Sequence, residues 1–519
     1  MKRRDFLKTL SCGTMGVVIG GGLTSGCRPE TPPPNILVIL SDDMGFSDLG
    51  CYGGEVDTPH LDALAADGTR FTEFYCTGRC WPTRATLLSG RYSNALGNNQ
   101  VTIAELLKTA GYQTGMAGKW HLSMSAVENG PRQRGFDSFY GTLTGAGSFW
   151  RPKTLTRGLE SVEPDGEDFY YTDRIGDEAV RQIEGYAGSK RPFFQYVAFT
   201  SPHWPLHAPE ATIEKYRDRY REGWEVLRRT RYERMLRMGL IDRERWPLPP
   251  PEDRVEDWEA VDHKDWRVRN MAVYAAQIDH MDQAVGRIVN AVRRIGRLED
   301  TLIIFTNDNG ACAEHLSGDA WNTADNVIAW AESRGRTLSV GDEMDVPSGG
   351  PFTFHSVGHN WANAQNTPLR RYKANVHEGG ACVPCIMHWP EGLKTPRGGI
   401  TRQRGHMVDI LSTCIDLAGV TYPAEFNGHS IRPNEGTSLV PTITGGEQDP
   451  GRAYYFNHNN THAVIKGDWK IVREGGREGR WYLYNMTREK TEMTDWAERM
   501  PDKVRELAGL WDARFPGIE

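Results

Sequence analysis

Residues 36–40, Ile-Leu-Val-Ile-Leu, carry no polar side chain, and Ser41-Asp42-Asp43 follows at once. A strand with one wet face would alternate apolar and polar residues. An unbroken run instead marks a strand covered on both faces, as in a sheet sandwiched by helices. Residues 193–199 and 301–306 read the same way, and 112–117 is a less apolar third case. Helical patterns at 60–67, 103–110, 173–187, 271–295 and 408–418 lie between or beyond them. Strands alternating with helices predict a doubly wound α/β fold over 35–450. From 451 the pattern changes to short strands and turns, closed by a helix over 502–515, which predicts a small C-terminal α+β subdomain to 519. Residues 210–266 are dense in Arg, Glu, Trp and Pro and read as a helical insertion broken at Pro247–Pro251, a solvated flap or a rim of a cleft.

In such sheets ligands bind beyond the carboxyl ends of the strands. Four runs end in polar clusters there: Ser41-Asp42-Asp43, Gly118-Lys119-Trp120-His121, Ser201-Pro202-His203 and Asn307-Asp308-Asn309-Gly310. Asp42, Asp43, Asp308 and Asn309 together offer hard oxygens without Cys or His, a set suited to Ca²⁺ ahead of Mg²⁺ rather than to zinc. A second pattern is Cys80-Trp81-Pro82-Thr83-Arg84-Ala85-Thr86-Leu87-Leu88-Ser89-Gly90-Arg91. Pro82 suits the first turn of a helix, nothing from Thr83 to Leu88 breaks it, and Gly90 suits its end. Cys80 then lies at the helix start, where free N–H groups favour an anion, with Arg84 one turn on along the same face.

This run resembles the signature of type I sulfatases, the arylsulfatase-like branch of the alkaline phosphatase superfamily. There the cysteine two residues before Pro-Ser/Thr-Arg is oxidised to formylglycine (3-oxoalanine), whose hydrate is the nucleophile. The resemblance runs from Pro34 to the C-terminus, and residues 361–368, Trp-Ala-Asn-Ala-Gln-Asn-Thr-Pro, resemble a bacterial arylsulfatase-like branch. It implies a large mixed sheet between helix layers and a sulfuric ester hydrolase. It also implies catalytic roles for Cys80, Arg84, Lys119, His121, His203 and Lys373, and a calcium ion on Asp42, Asp43, Asp308, Asn309 and the modified Cys80. Gly-Lys-Trp-His-Leu at 118–122 resembles the second signature, with Ser123 where the family has Gly. By the same likeness Lys119, His203 and Lys373 grip the sulfate. Trp204, His207, His359 and Trp361 are further candidates for shaping substrate subsites. A phosphodiesterase or phosphonate monoester hydrolase of the same superfamily is the nearest rival, and an inactive glycan-binding surface protein a more distant one.

Lys2-Arg3-Arg4-Asp5-Phe6-Leu7-Lys8 resembles a twin-arginine export signal, and Leu23-Thr24-Ser25-Gly26-Cys27 a lipoprotein cleavage site with Cys27 as anchor. These residues predict an export signal over 1–27 and a tether over 28–34. They imply the twin-arginine machinery as a partner and a periplasmic or cell-surface address, while the sulfatase resemblance implies a formylglycine-generating or radical enzyme acting on Cys80. A formal net charge of −7 without basic patches gives no nucleic-acid partner. The remaining cysteines lack zinc-site spacing, and Cys382-Val-Pro-Cys385 sits in a strand-like context and is structural. Export and 16 tryptophans are consistent with a sulfated polysaccharide or glycan substrate.

Overall fold

A computed structural model describes residues 32–517 except 167 and 318–320. The predicted export signal, Cys27 and most of the tether therefore lie outside the described residues. Asn35–Ser41 is the central strand of an 11-stranded mixed sheet, paired in parallel with Phe193–Ala198 on one side and Thr301–Asn307 on the other. Gln113–Gly118 and Ser138–Thr142 extend the first side in parallel, followed by two short antiparallel strands. On the second side Cys382–His388 runs antiparallel to both Thr301–Asn307 and Thr69–Tyr75, and short strands at Gly399–Thr401 and Gly405–His406 close the edge.

The apolar run of the central strand is shared between two cores. Leu37 and Ile39 pack under the helices Tyr171–Glu184 and Lys264–Arg294, against Ile175, Ile278 and Met281. Ile36, Val38 and Leu40 point the other way, onto Leu87, Leu106 and Ile410 of the helices Cys80–Ser89, Ile103–Thr109 and Val408–Ala418. Burial on both faces is why this strand has no polar alternation.

The 210–266 insertion is not a solvated flap. Its helices Glu210–Tyr216 and Gly223–Arg237 join the main core through Tyr216, Trp224 and Met235, and Trp246 and Trp258 are buried beyond them. Arg231 is fully buried, 2.6 Å from Asp48 and 2.8 Å from Glu55. A charge run that looks wet in sequence is thus anchored by partners more than 170 residues away.

Ala453–His458, Thr461–Lys466, Trp469–Glu474 and Trp481–Asn485 form a separate antiparallel sheet. The helix Pro501–Arg514 covers one face through Leu507 and Trp511, on Val464, Ile471 and Leu483. The other face meets the main sheet, where Phe456 packs 5.6 Å from Tyr75. A dry ionic cluster joins the two sheets. Lys470 lies 2.7 Å from both Glu378 and Glu492, and Lys490 lies 2.6 Å from Glu378 and 3.5 Å from Glu73, all of them buried.

Burial alone would raise the Glu73 carboxyl, but Lys490, Arg245 and Arg404 outweigh it and hold it down to about 2 from 4.5. A depressed folded value means that this carboxylate stabilises the fold fully above 4.5 and loses that contribution as pH falls toward 2. Wild type is expected to lose denaturant resistance steeply over that window. Glu73→Gln should be weaker at neutral pH, and the gap should narrow by pH 3. A gap that stays constant with pH would show that the Glu73 charge is not what matters.

Candidate active site

Ser41 and Asn307 are register partners on adjacent parallel strands, so Asp42-Asp43 and Asp308-Asn309 leave the sheet side by side. Asn309 Nδ2 donates to Asp43 Oδ1 at 2.7 Å, and the Asp43 N–H faces Asp308 Oδ1 at 3.4 Å. Asp43 adopts φ +66°, a conformation that side chains rarely take and that turns its carboxylate back across the strand ends.

The Cys80–Ser89 helix begins at Cys80, and Gly90 ends it at φ 65° with its N–H on the Thr86 carbonyl. Both ends match the sequence reading. Arg84 is fully buried. Its Nε and Nη2 donate to Asp308 Oδ2 at 3.0 and 2.7 Å, and its Nη1 donates to the Lys119 carbonyl at 3.0 Å. The Cys80 sulfur and carboxylate oxygens of Asp42 and Asp308 all lie within 4.8 Å of one another. Cys80 is 3% exposed, and burial pushes its thiol up despite Lys119 and Lys373 nearby.

Lys119 follows Gly118, whose φ of +109° suits glycine and where a Cβ would meet the Ala198 carbonyl oxygen at 1.9 Å. The tight passage aims Lys119 Nζ at Asp42 Oδ2, 2.5 Å away. Lys373 Nζ donates to Asp43 Oδ2 at 2.7 Å and to His203 Nε2 at 3.1 Å. His203 Nδ1 donates to the Trp204 carbonyl at 2.6 Å, so Nε2 is the acceptor. His121 stands at φ +57° with its ring against Gly145, where a Cβ would meet it at 2.3 Å. Burial, and then the surrounding Lys119, Arg84, His203 and Lys373, push this imidazole well below its ordinary value, which leaves it neutral and able to accept a proton.

Burial would raise Asp42, yet Lys119, His203, Arg84 and Lys373 hold it down to about 2, whereas burial and the Asp42 charge push Asp308 up to about 7. Asp42 Oδ1 and Asn309 Oδ1 are buried without a partner. Crowded carboxylates with two orphaned oxygens are the chemistry of a hard-cation site, so the donor set fits calcium. Asp42, Asp43 and His203 form a second close group, but His203 Nε2 already accepts from Lys373.

A sulfatase family model matches residues 34–420. The chain belongs to the sulfatase family. It is 29% identical to an uncharacterized sulfatase of Schizosaccharomyces pombe over 93% of this chain and 94% of that one. It is also 29% identical to the arylsulfatase of Klebsiella aerogenes, over 83% and 96%. The crystal structure of Ps i-CgsB in complex with k-i-k-neocarrahexaose superimposes with a TM-score of 0.65 at 23% identity, covering 92% of this chain and 91% of that one. The fold is the one seen in solved sulfatases, and the protein is a sulfuric ester hydrolase.

Two candidates for this sulfatase's substrate subsites are structural instead. His207 is fully buried, with Nε2 on the Thr353 carbonyl and Nδ1 accepting from the Phe149 N–H at 3.3 Å. Trp361 is 1% exposed, donates to the Arg267 carbonyl and packs 5.3 Å from Trp224. Trp204 stays at the mouth, half-buried, its Nε1 donating to Glu314 Oε2 at 2.8 Å. His359 is half-buried and faces a neighbouring cavity.

Sequence reasoning missed four residues of the sulfatase mouth. Glu314 bridges Arg79 at 3.0 Å and Trp204, 3.9 Å from Lys373. Trp81 stands edge-on between His121 and His458, at 5.9 and 5.6 Å. Arg79 and Trp81 flank Cys80 and were readable as neighbours of the motif. Glu314 and His458 have no local signature, because His458 arrives on the first strand of the C-terminal sheet.

Proposed function

We propose that this sulfatase hydrolyses sulfate esters of a sulfated glycan, using the formylglycine hydrate formed from Cys80, with calcium held by Asp42, Asp43, Asp308 and Asn309. The orphaned buried oxygens Asp42 Oδ1 and Asn309 Oδ1, in a site walled by Arg84, Lys119 and Lys373, carry this reading. Bound calcium would supply positive charge toward a sulfuryl oxygen and toward the Cys80-derived hydroxyl.

One hydroxyl of the hydrate passes its proton to the neighbouring Asp308 carboxylate while its oxygen attacks sulfur, and the bond from sulfur to the substrate alcohol oxygen breaks. Arg84, Lys119 and Lys373, all buried, offset the charge gathering on the sulfuryl oxygens. Lys373, already hydrogen-bonded to His203, provides with it the proton for the departing alcohol. His121 then takes the proton of the second hydroxyl, the carbon–oxygen bond to sulfate breaks, and the aldehyde re-forms and is rehydrated by water. A serine ester has no second hydroxyl and would stop at the first stage.

Trp81 and Trp204 at the mouth support a sugar substrate, and so does the neocarrahexaose in the complex of the structural relative named above. The N-terminal sequence supports twin-arginine export to the periplasm or cell surface, with Cys27 as a lipid anchor. A maturation enzyme would have to act on Cys80 before export. Mass spectrometry of the peptide holding position 80, paired with assays of sulfate esters and of phosphate diesters and phosphonate monoesters on the same preparation, tests the reading. The expected result is an aldehyde and a faster sulfate reaction. Aldehyde-bearing protein that prefers the phosphate diester or phosphonate monoester would overturn it in favour of the phosphodiesterase-like rival.

A further inference from the structure

We propose that the cavity between residues 254–270 and 342–361 is a second sugar subsite, for a saccharide unit carrying its own sulfate or carboxylate. This rests on the glycan reading above and names where the rest of that substrate is held. The cavity measures about 530 Å³, within the roughly 300–1,000 Å³ usual for small-ligand sites. It begins one residue from the catalytic mouth: Glu314 touches Trp204 and nears Lys373, and the next residue, His315, lines the cavity.

The hydrogen bonds of the wall define its charge. His359 Nε2 faces the Arg254 carbonyl and so bears a proton, which leaves Nδ1 to accept from His315 Nε2 at 2.7 Å. His315 Nδ1 lies 3.3 Å from Asp342 Oδ2. Its side chain is 55% exposed, and Arg254 is exposed beside it. The acids in the wall are already partnered, Asp342 by His315 at 3.3 Å and Glu256 by Arg267 at 3.4 Å. Asp342 takes the Ser356 N–H at 2.7 Å, and Glu256 takes Asn360 Nδ2 at 2.9 Å. The wall therefore offers a ligand the Arg254 cation, which has no acidic partner among the described residues, and the His315 imidazole.

A polar acceptor lies deeper. Asn270 is 1% exposed, its Nδ2 donates to the Ser356 carbonyl at 3.2 Å, and its Oδ1 is buried without a partner. A buried acceptor left open at a cavity wall calls for a donor from a ligand, and a sugar hydroxyl supplies one. The half-exposed Trp266 ring, tied by Nε1 to the Val346 carbonyl at 3.0 Å, gives a flat apolar wall for a pyranose face. An unpaired guanidinium, an imidazole, an acceptor and an aromatic face fit an acidic sugar better than an aryl group or a neutral one.

The test uses the aldehyde-bearing full chain on a sulfated monosaccharide and on three disaccharides that share that unit. The second sugar is neutral, sulfated or a uronate. Wild type is expected to favour an acidic disaccharide over the neutral one by about tenfold in kcat/KM, carried by KM. The sulfated and uronate arms tell which anion the subsite takes. His315→Ala and Arg254→Ala should each shrink that preference several-fold while the ratio of neutral disaccharide to monosaccharide holds. Equal rates on all disaccharides, or variants that keep the preference, would overturn the subsite and leave the glycan reading standing. Turnover of an aryl sulfate with none of the sugars would overturn both.

Discussion

Replacing Cys80 by alanine is expected to lower kcat for sulfate release by ~10⁴-fold or more, the loss typical of a deleted covalent nucleophile, while the fold persists. The side chain is small and packed at a helix start, and Arg84 keeps its bonds to Asp308 and to the Lys119 carbonyl without it. Near-ultraviolet circular dichroism should therefore be unchanged. Cys80→Ser separates the stages: a single hydroxyl could attack sulfur but could not eliminate sulfate. That variant should hold one sulfuryl group per chain at position 80, visible by mass spectrometry after brief exposure to substrate. The unoxidised thiol is expected to be nearly as inactive as alanine, because burial keeps it protonated. Ordinary turnover by Cys80→Ala would rule out the formylglycine route entirely.

The second large effect is on stability. Lys470→Met is expected to cost about 3–5 kcal/mol, because it leaves two buried carboxylates facing each other without their shared cation. Lys470 lies 2.7 Å from Glu378 and from Glu492, and Glu492 also holds His377 Nδ1 at 3.0 Å and the Glu378 N–H at 2.9 Å. The damage should spread inward, since the strand Trp469–Glu474 is tied through Glu378 to the segment that follows Lys373. Limited proteolysis should release the C-terminal sheet first, and the urea midpoint should drop. A midpoint within about 1 kcal/mol of wild type would show that the cluster is not a clamp, since neutral replacement of buried pairs can be tolerated only when both signs go together.

The parts legible in the sequence are those whose cause is local. Apolar runs give strands buried on both faces, Pro82 and Gly90 bound the Cys80 helix, and polar residues after each run mark one edge of the sheet. Lys119 and Lys373 could be named from motifs, yet the glycine passage behind Lys119 depends on Ala198, 80 residues on. The failures have distant causes. His207 and Trp361 look like ligand groups until Thr353 and Arg267 satisfy them. The insertion looks wet until Asp48 and Glu55 take Arg231. Cys382–His388 reads as a strand, but its antiparallel place in the middle of the sheet follows from tertiary pairing alone. Glu314, His458 and the Lys470 cluster join segments that share no pattern.

The ionic clamp also sets a clock. Lys470 and Glu492 leave the ribosome roughly 400 residues after Cys80, so the main sheet and its neighbour cannot lock until synthesis is nearly complete. At about 5–20 residues per second this interval lasts some tens of seconds. On the formylglycine reading, a modifying enzyme would act on the Cys80 segment within that interval, since in the finished fold only 3% of that residue meets solvent. On that reading chain order gives the nucleophile time to be made before the two sheets lock, and a circular permutant that brings the last sheet to the front should shorten that time and carry less aldehyde.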